Sequence, residues 1–298
     1  MSIESVELPS CLCCPDCHEL LTRSGDNVEC EAGHSYPVVN GTVDFFGSQS
    51  ADEGLGLDRH AAQEANGMRK RVDNFVMPWL NEFGATSLLD DGCGIGHVVE
   101  HLYRNGIDAY GVDPGSRKQQ WESLEVKPRL FRADGTNLPF ADSSFDAVLS
   151  AGVIEHVGEP RPRREQHPYQ RAYVHELLRV LRPGGRALIA APNGAFPIDF
   201  WHPMTRPFDL PLRPHIPYET WMPNGREMAG WIRSAPFEVE FTFLPPAGFL
   251  AFDNVSQHWY GRAFKGSMQS LFRLIDRFPR LSDSVICPWL IVEVRRLA

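Results

Sequence analysis

The stretch Ser87–Gly96 reads SLLDDGCGIG, and it constrains what this chain can fold into more than any other. Leu88 and Leu89 read as the end of a buried strand. Asp90 and Asp91 follow, and then glycines stand at every second position, Gly92, Gly94 and Gly96. The next run, HVVEHLYRNG, is patterned as a helix. Strand, glycine loop and helix in succession let a backbone come close to a ligand at the carboxyl end of a sheet. A dinucleotide fingerprint of the G-x-G-x-x-G type would need a small residue at position 97, where His97 stands.

Three downstream runs extend the pattern in order. IDAYGVDPG reads as a second strand ending at Asp113, an acid placed after a helix where such units meet ribose hydroxyls. ADGTNLPFADSSFDAVLSAGVIEHV carries Asp134 and a strand, FDAVLS. ELLRVLRPGGRALIAAPN reads as helix, turn and strand. Over roughly residues 85–193 the set resembles the class I S-adenosylmethionine (SAM) methyltransferases, and consistent agreement of several motifs outweighs any lone glycine loop. The resemblance implies a three-layer Rossmann-like α/β sandwich whose seven-stranded, mostly parallel sheet has the order 3-2-1-4-5-7-6. It implies that Asp90, Gly92, Gly94 and Gly96 face the methionine part of SAM. Asp113 then meets the ribose and Asp134 the adenine, with Gly135 and Ser150 beside the cofactor. SAM carries no phosphate, so such a loop has none to cradle.

Composition narrows the partners. At 298 residues the chain can hold one large domain, or a large and a small one. A net charge of −9 argues against a general nucleic-acid-binding surface. No apolar run reaches spanning length and no secretory leader is visible, so the expectation is a cytoplasmic protein without a membrane span.

Five of the seven cysteines precede residue 31, which in a chain without a leader favours metal over disulfides. Cys14 and Cys17 form a Cys-x2-Cys knuckle, and Cys30 with His34 forms a Cys-x3-His half. Two such turns deliver four ligands to one point, as tetrahedral zinc requires. Cys11 and Cys13 compete for a ligand place. The spacing resembles the zinc ribbon of bacterial 23S rRNA guanine methyltransferases. The following YPVVNGTVDF resembles the zinc-ribbon activator subunits of tRNA and release-factor methyltransferases. A module this short buries too little core to stand alone, so the metal is expected to be structural Zn2+.

These readings divide the chain into a zinc-ribbon-like module at 1–47, a linker at 48–59 and a methyltransferase domain at 60–298, with insertions near 194–225 and 247–284. From His60 to Phe83 a helix is expected, with Val72, Phe75, Val76, Trp79 and Leu80 on its core face and Pro78 as a point of breakage. Glu155-His156 resembles the Glu-His pair of small-molecule O-methyltransferases, including those of ubiquinone synthesis. His156 is the candidate base, with Glu155 orienting it, because His suits proton transfer near neutral pH. Small-RNA 2′-O-methyltransferases hold a metal at this loop, but Gly152 stands where their first carboxylate would be. Arg161, Arg163 and Arg164 form a basic run that reads as a solvated loop or an anion contact. In the first insertion Trp201, His202, Tyr218 and Trp221 are candidates for an acceptor pocket. In the second, Phe264, Met268, Leu271, Phe272 and Ile275 recur at helical spacing, and Cys287 reads as buried.

The expected function is methyl transfer from SAM, with O-methylation of a small-molecule or sugar-bearing acceptor leading. An RNA methyltransferase using the ribbon to bind rRNA or tRNA is the alternative, disfavoured by the acidic charge. A non-catalytic SAM-fold binding module is the second. Oligomeric state and the atom methylated are not legible in the sequence.

Overall fold

The computed structural model describes residues 8–46, 68–115, 118–159, 161–199, 213–214, 222–249 and 259–297. The expected linker at 48–59 and the aromatic candidates Trp201, His202, Tyr218 and Trp221 lie outside these residues.

The N-terminal module is a four-stranded antiparallel meander, β1 (Thr22–Ser24), β2 (Asn27–Glu29), β3 (Ser35–Val39) and β4 (Thr42–Val43). A helical segment follows from Met68. A π-helical turn, Val72–Val76, passes into α1 (Met77–Glu82). Val72, Val76, Trp79 and Leu80 are buried, as their spacing predicts. Pro78 does not break the run. It directly follows a π-helical turn, whose wider spacing is closed by Met77 N–H donating to Val72 O.

The main sheet is built in βαβ units: β5 (Ser87–Asp91), α2 (His97–Arg104), β6 (Asp108–Val112), α3 (Lys118–Trp121), β7 (Leu130–Phe131), β8 (Phe145–Ala151), α4 (Arg163–Arg179) and β9 (Leu181–Pro192). A short pair, β10 (Ile198–Asp199) and β11 (Arg213–Pro214), lies in the first insertion. Then come α5 (Gly225–Arg233), β12 (Val239–Phe243), α6 (Trp259–Arg277) and β13 (Trp289–Arg296). The seven strands run β12-β13-β9-β8-β5-β6-β7. All pairs from β7 to β9 are parallel, whereas β13 is antiparallel to both β9 and β12. Counted within this sheet alone, that is the expected 3-2-1-4-5-7-6.

The strands are near-continuous apolar runs because both sheet faces are covered. Leu89, Val148 and Ile189 pack with Tyr173, Val174 and Leu177 of α4 on one face. Leu88, Leu149 and Leu188 pack with Val72, Trp79, Val99 and Leu102 on the other. The Arg-Pro-Gly-Gly turn expected before β9 is a bulge within it: the register jumps from Leu181 opposite Phe145 to Arg186 opposite Ala147. In the second insertion Phe272 and Ile275 of α6 bury against Cys287, so this helix packs on the domain. The closing strand begins at Trp289, with Val285 and Ile286 exposed before it.

The N-terminal module does not sit apart. Its Leu12, Cys14, Val28, Tyr36 and Val43 share one core with Phe131, Phe140 and Phe145 of the large domain. A module with so few apolar side chains gains most of its burial from the neighbour it lies on. No helix among the described residues is long and apolar enough to cross a membrane.

Candidate active site and metal centre

The glycine loop leaves β5 at its carboxyl end. Gly92 has φ +86°, and a Cβ there would stand 2.1 Å from Val153 Cγ2, so no other residue fits. Gly96 has φ +79° and caps α2 from the left-handed region. Between them, Gly94 N–H donates to Asp113 Oδ2 at 2.9 Å and its carbonyl accepts from the buried Trp121 Nε1 at 2.8 Å. Asp113 Oδ1 accepts from Gly115 N–H at 2.7 Å. This acid thus ties the loops after β5 and β6 together. Asp134 follows β7 and is exposed. Its Oδ1 accepts from Thr136 N–H and Oγ1, each at 2.8 Å, which fixes the rotamer of the carboxylate.

Asp90 is buried, and burial raises its carboxyl from 3.8 to about 7, with the Asp113 charge adding to the rise and Arg71 opposing it. Arg71, from the helical segment before β5, donates from Nε to Phe249 O at 3.2 Å and stacks 4.6 Å over the Phe249 ring. Its own pKa is lowered by burial, and Asp90 works against that. An opposed cation and carboxylate therefore flank the first loop. Arg71 lies one step off the apolar helical stripe, so periodicity in the sequence does not single it out.

Strand alternation sends Asp91 to the other face. There burial pushes its carboxyl well above the usual range, with Asp134, Asp90 and Asp113 adding charge repulsion. Ser150 is fully buried, and its hydroxyl lies 2.7 Å from Tyr173 Oη, which donates to Asp91 O at 3.4 Å. A Cβ on Gly135 would stand 2.4 Å from the Tyr173 ring and 2.7 Å from Asp91 Oδ2. Ser150 and Gly135, expected beside the cofactor, are placed in this buried layer beneath the loops.

The loop after β8 carries Glu155 and His156. Glu155 is buried, while the His156 side chain is 39% exposed. His156 Nδ1 lies 3.3 Å from Glu159 Oε2, so a carboxylate three residues on stands beside the ring. From α4, Gln170 Nε2 donates to Ile154 O at 3.0 Å and Gln166 Nε2 to Arg161 O at 2.6 Å, pinning the loop. Arg161 stacks 4.3 Å over Tyr169 at the surface.

Far from this cleft in sequence, Cys14, Cys17, Cys30 and His34 converge, with one ligand atom of each within 4.8 Å of all the others. Cys17 Sγ is 3.6 Å from Cys30 Sγ, and His34 Nδ1 is 3.4 Å from both Cys14 Sγ and Cys30 Sγ. Zn–S bonds of about 2.3 Å and a Zn–N bond of about 2.0–2.1 Å, at tetrahedral angles, put ligand atoms about 3.5–3.8 Å apart. The donor set fits that ion. Tyr36 Oη donates to Asp16 Oδ2 at 2.6 Å and lies 3.1 Å from Cys14 Sγ. Cys11 and Cys13 stand outside the four-ligand group.

Residues 89–189 match the family model described as a methyltransferase domain. An uncharacterized methyltransferase of Mycobacterium sp. (strain KMS) is 40% identical over 108 residues, which is 36% of this chain and 39% of that protein. One from Mycolicibacterium vanbaalenii is 36% identical over 107 residues, 35% of this chain and 38% of that protein. The match thus spans about two-fifths of the length of these curated relatives. Among solved structures, the plantazolicin methyltransferase BamL aligns with a TM-score of 0.51 at 14% identity, covering 81% of this chain and 89% of that one, a likeness of fold. Residues 89–189 thus resemble a methyltransferase domain, set in a fold like that of a solved methyltransferase.

Proposed function

We propose that this protein is a SAM-dependent methyltransferase that methylates a hydroxyl of a small-molecule or sugar-bearing acceptor, and that its N-terminal cluster holds one structural Zn2+. The observation that carries the cofactor reading is the order of charged groups over the carboxyl ends of β5, β6 and β7. Arg71 and Asp90 oppose each other at one end, suited to the carboxylate and ammonium of an amino acid. Asp113 follows at the ribose position and Asp134 at the adenine position. When bound, SAM supplies a methyl group made electrophilic by its sulfonium. The protein then needs mainly to align the acceptor, exclude water and receive a proton.

His156 is the proposed base. The Glu159 carboxylate at Nδ1 favours the tautomer with its proton there, which makes Nε2 the acceptor for the hydroxyl proton. Glu155, buried in the same loop, supports the loop's shape. Gly92, Gly94 and Gly96 let the backbone pass beneath the ligand, while Gly135 and Ser150 act through the packed layer under it. The RNA reading loses support from the ribbon, whose inner side is packed against the domain itself.

Calorimetric titration with S-adenosylhomocysteine (SAH) tests the reading. Asp113→Ala removes hydrogen bonds to a charged acceptor, a loss of about 1.5–3 kcal/mol in total. Affinity should fall by about one to two orders of magnitude. A wild-type protein that binds no SAH, or a folded Asp113→Ala variant that binds it equally well, would overturn the assignment.

A further inference from the structure

The segment that carries Asp134 is held at both stems by the ribbon. At its entry, Arg132 N–H donates to Val43 O at 3.1 Å and Phe45 N–H donates to Arg132 O at 2.9 Å. This is a parallel bridge of Asp44 to Arg132 that continues the main sheet beyond its short edge strand β7. At its exit, Cys13 N–H donates to Pro139 O at 3.0 Å and Ala141 N–H to Cys11 O at 2.9 Å, with Leu12 bridged to Phe140. The loop between these stems is the one whose Asp134 is aimed by Thr136.

One ion pair stands at the centre of the clamp. Arg132 Nη1 donates to Asp44 Oδ1 at 2.9 Å and to Oδ2 at 2.8 Å, with the two side chains only 6% and 4% exposed. Arg132 Nε reaches Pro114 O at 3.4 Å, the residue next to Asp113. One guanidinium therefore touches the ribbon, begins the Asp134 loop and contacts the Asp113 turn. A surface ion pair would do little, but a buried one fixes geometry, because either charge alone is costly to leave there.

We infer that the ribbon is a working part of the cofactor cleft, and that Asp44, acting through Arg132, is a positioning residue for the nucleoside-binding acids Asp113 and Asp134. The inference rests on the proposed SAM reading. It gives the N-terminal module a role within this chain, as the outer wall of the site. It also accounts for a two-residue edge strand standing where the loop most needs to be rigid: the ribbon supplies the pairing that β7 is too short to provide.

The test is SAH binding to the full chain carrying Asp44→Asn, a change that keeps shape and removes charge. The affinity should fall about tenfold, or roughly 1.4 kcal/mol. Hydrogen exchange at the amides of residues 133–137 should rise, while metal content stays as in the wild type. The probe 5′-methylthioadenosine, which lacks the amino-acid part, should lose affinity by the same factor. Arg71→Ala should weaken SAH and spare this probe. If Asp44→Asn does not fold, the apolar pair Asp44→Leu/Arg132→Met removes both charges together and should still bind SAH more weakly. Wild-type SAH affinity and unchanged exchange at 133–137 in whichever variant folds would overturn the inference. A wild-type protein that binds no SAH would instead overturn the methyltransferase reading.

Discussion

The Cys/His cluster and the proposed cofactor site gather their groups in contrasting ways. The cluster draws three thiols and an imidazole from the single stretch Cys14–His34, two tight turns facing each other. The proposed site draws Arg71, Asp90, Asp113, Asp134 and His156 from the ends of strands and from the helix before them. A site made by local turns is defined by spacing. A site made by strand ends exists only once the sheet has ordered them, and its electrostatics belong to the assembled fold. Asp90 displays this: its pKa is raised to about 7 by burial and by Asp113 against the opposing Arg71, and neither residue is its sequence neighbour.

The contrast can be broken most severely by removing the metal. A structural zinc contributes on the order of 10 kcal/mol in small zinc modules. Chelation, or Cys14→Ser/Cys17→Ser, should abolish metal content in elemental analysis. A ribbon on a free tether would melt alone. Because Val43 and Leu12 share a core with Phe131 and Phe140, the edge of the large domain should loosen with it, read by hydrogen exchange across residues 130–141. Exchange confined to residues 8–46 would mean the two regions are independent.

The next effect in size belongs to the cleft. His156→Ala should lower turnover by about two to four orders of magnitude, the range for losing a general base. SAH binding should stay close to wild type, since the proposed cofactor contacts come from other loops. A near wild-type rate on the acceptor would remove the base role and leave alignment as the source of rate.

The smallest effect is the most specific. Between about pH 4 and pH 7 the folded protein holds a proton on Asp90 that the unfolded chain does not, so this group's contribution to stability falls as pH rises through that window. A bound ammonium favours the ionised carboxylate. SAH should therefore release a proton on binding near pH 6, and its affinity should rise about fivefold from about pH 6 to about pH 7. Calorimetry in buffers of different ionisation enthalpy reads the proton directly. Asp90→Asn should abolish the release.

The legible part of the molecule follows the same contrast. The cluster was readable to the residue, because knuckle spacing alone delivers the ligands, and only the competition from Cys11 and Cys13 needed the structure. The sheet order was readable because strand, loop and helix repeat in a fixed order. Three features were not. Arg71 reaches Asp90 across the fold from a helix whose apolar stripe drew attention to its other face. Gly135 and Ser150 lie in the right segments, but they point into the layer with Asp91 and Tyr173. The Asp44–Arg132 pair joins residues 88 positions apart, and no spacing in the sequence announces it.

The central claim is that one cleft binds the whole of SAM in a single orientation set by these acids. A crystal structure of the full chain with SAH tests it most directly. The account predicts the adenine amino group at Asp134, the ribose hydroxyls at Asp113, and the amino-acid part between Asp90 and Arg71. Ligand bound with its adenine toward Arg71, or bound away from the Gly92–Gly96 loop, would contradict it.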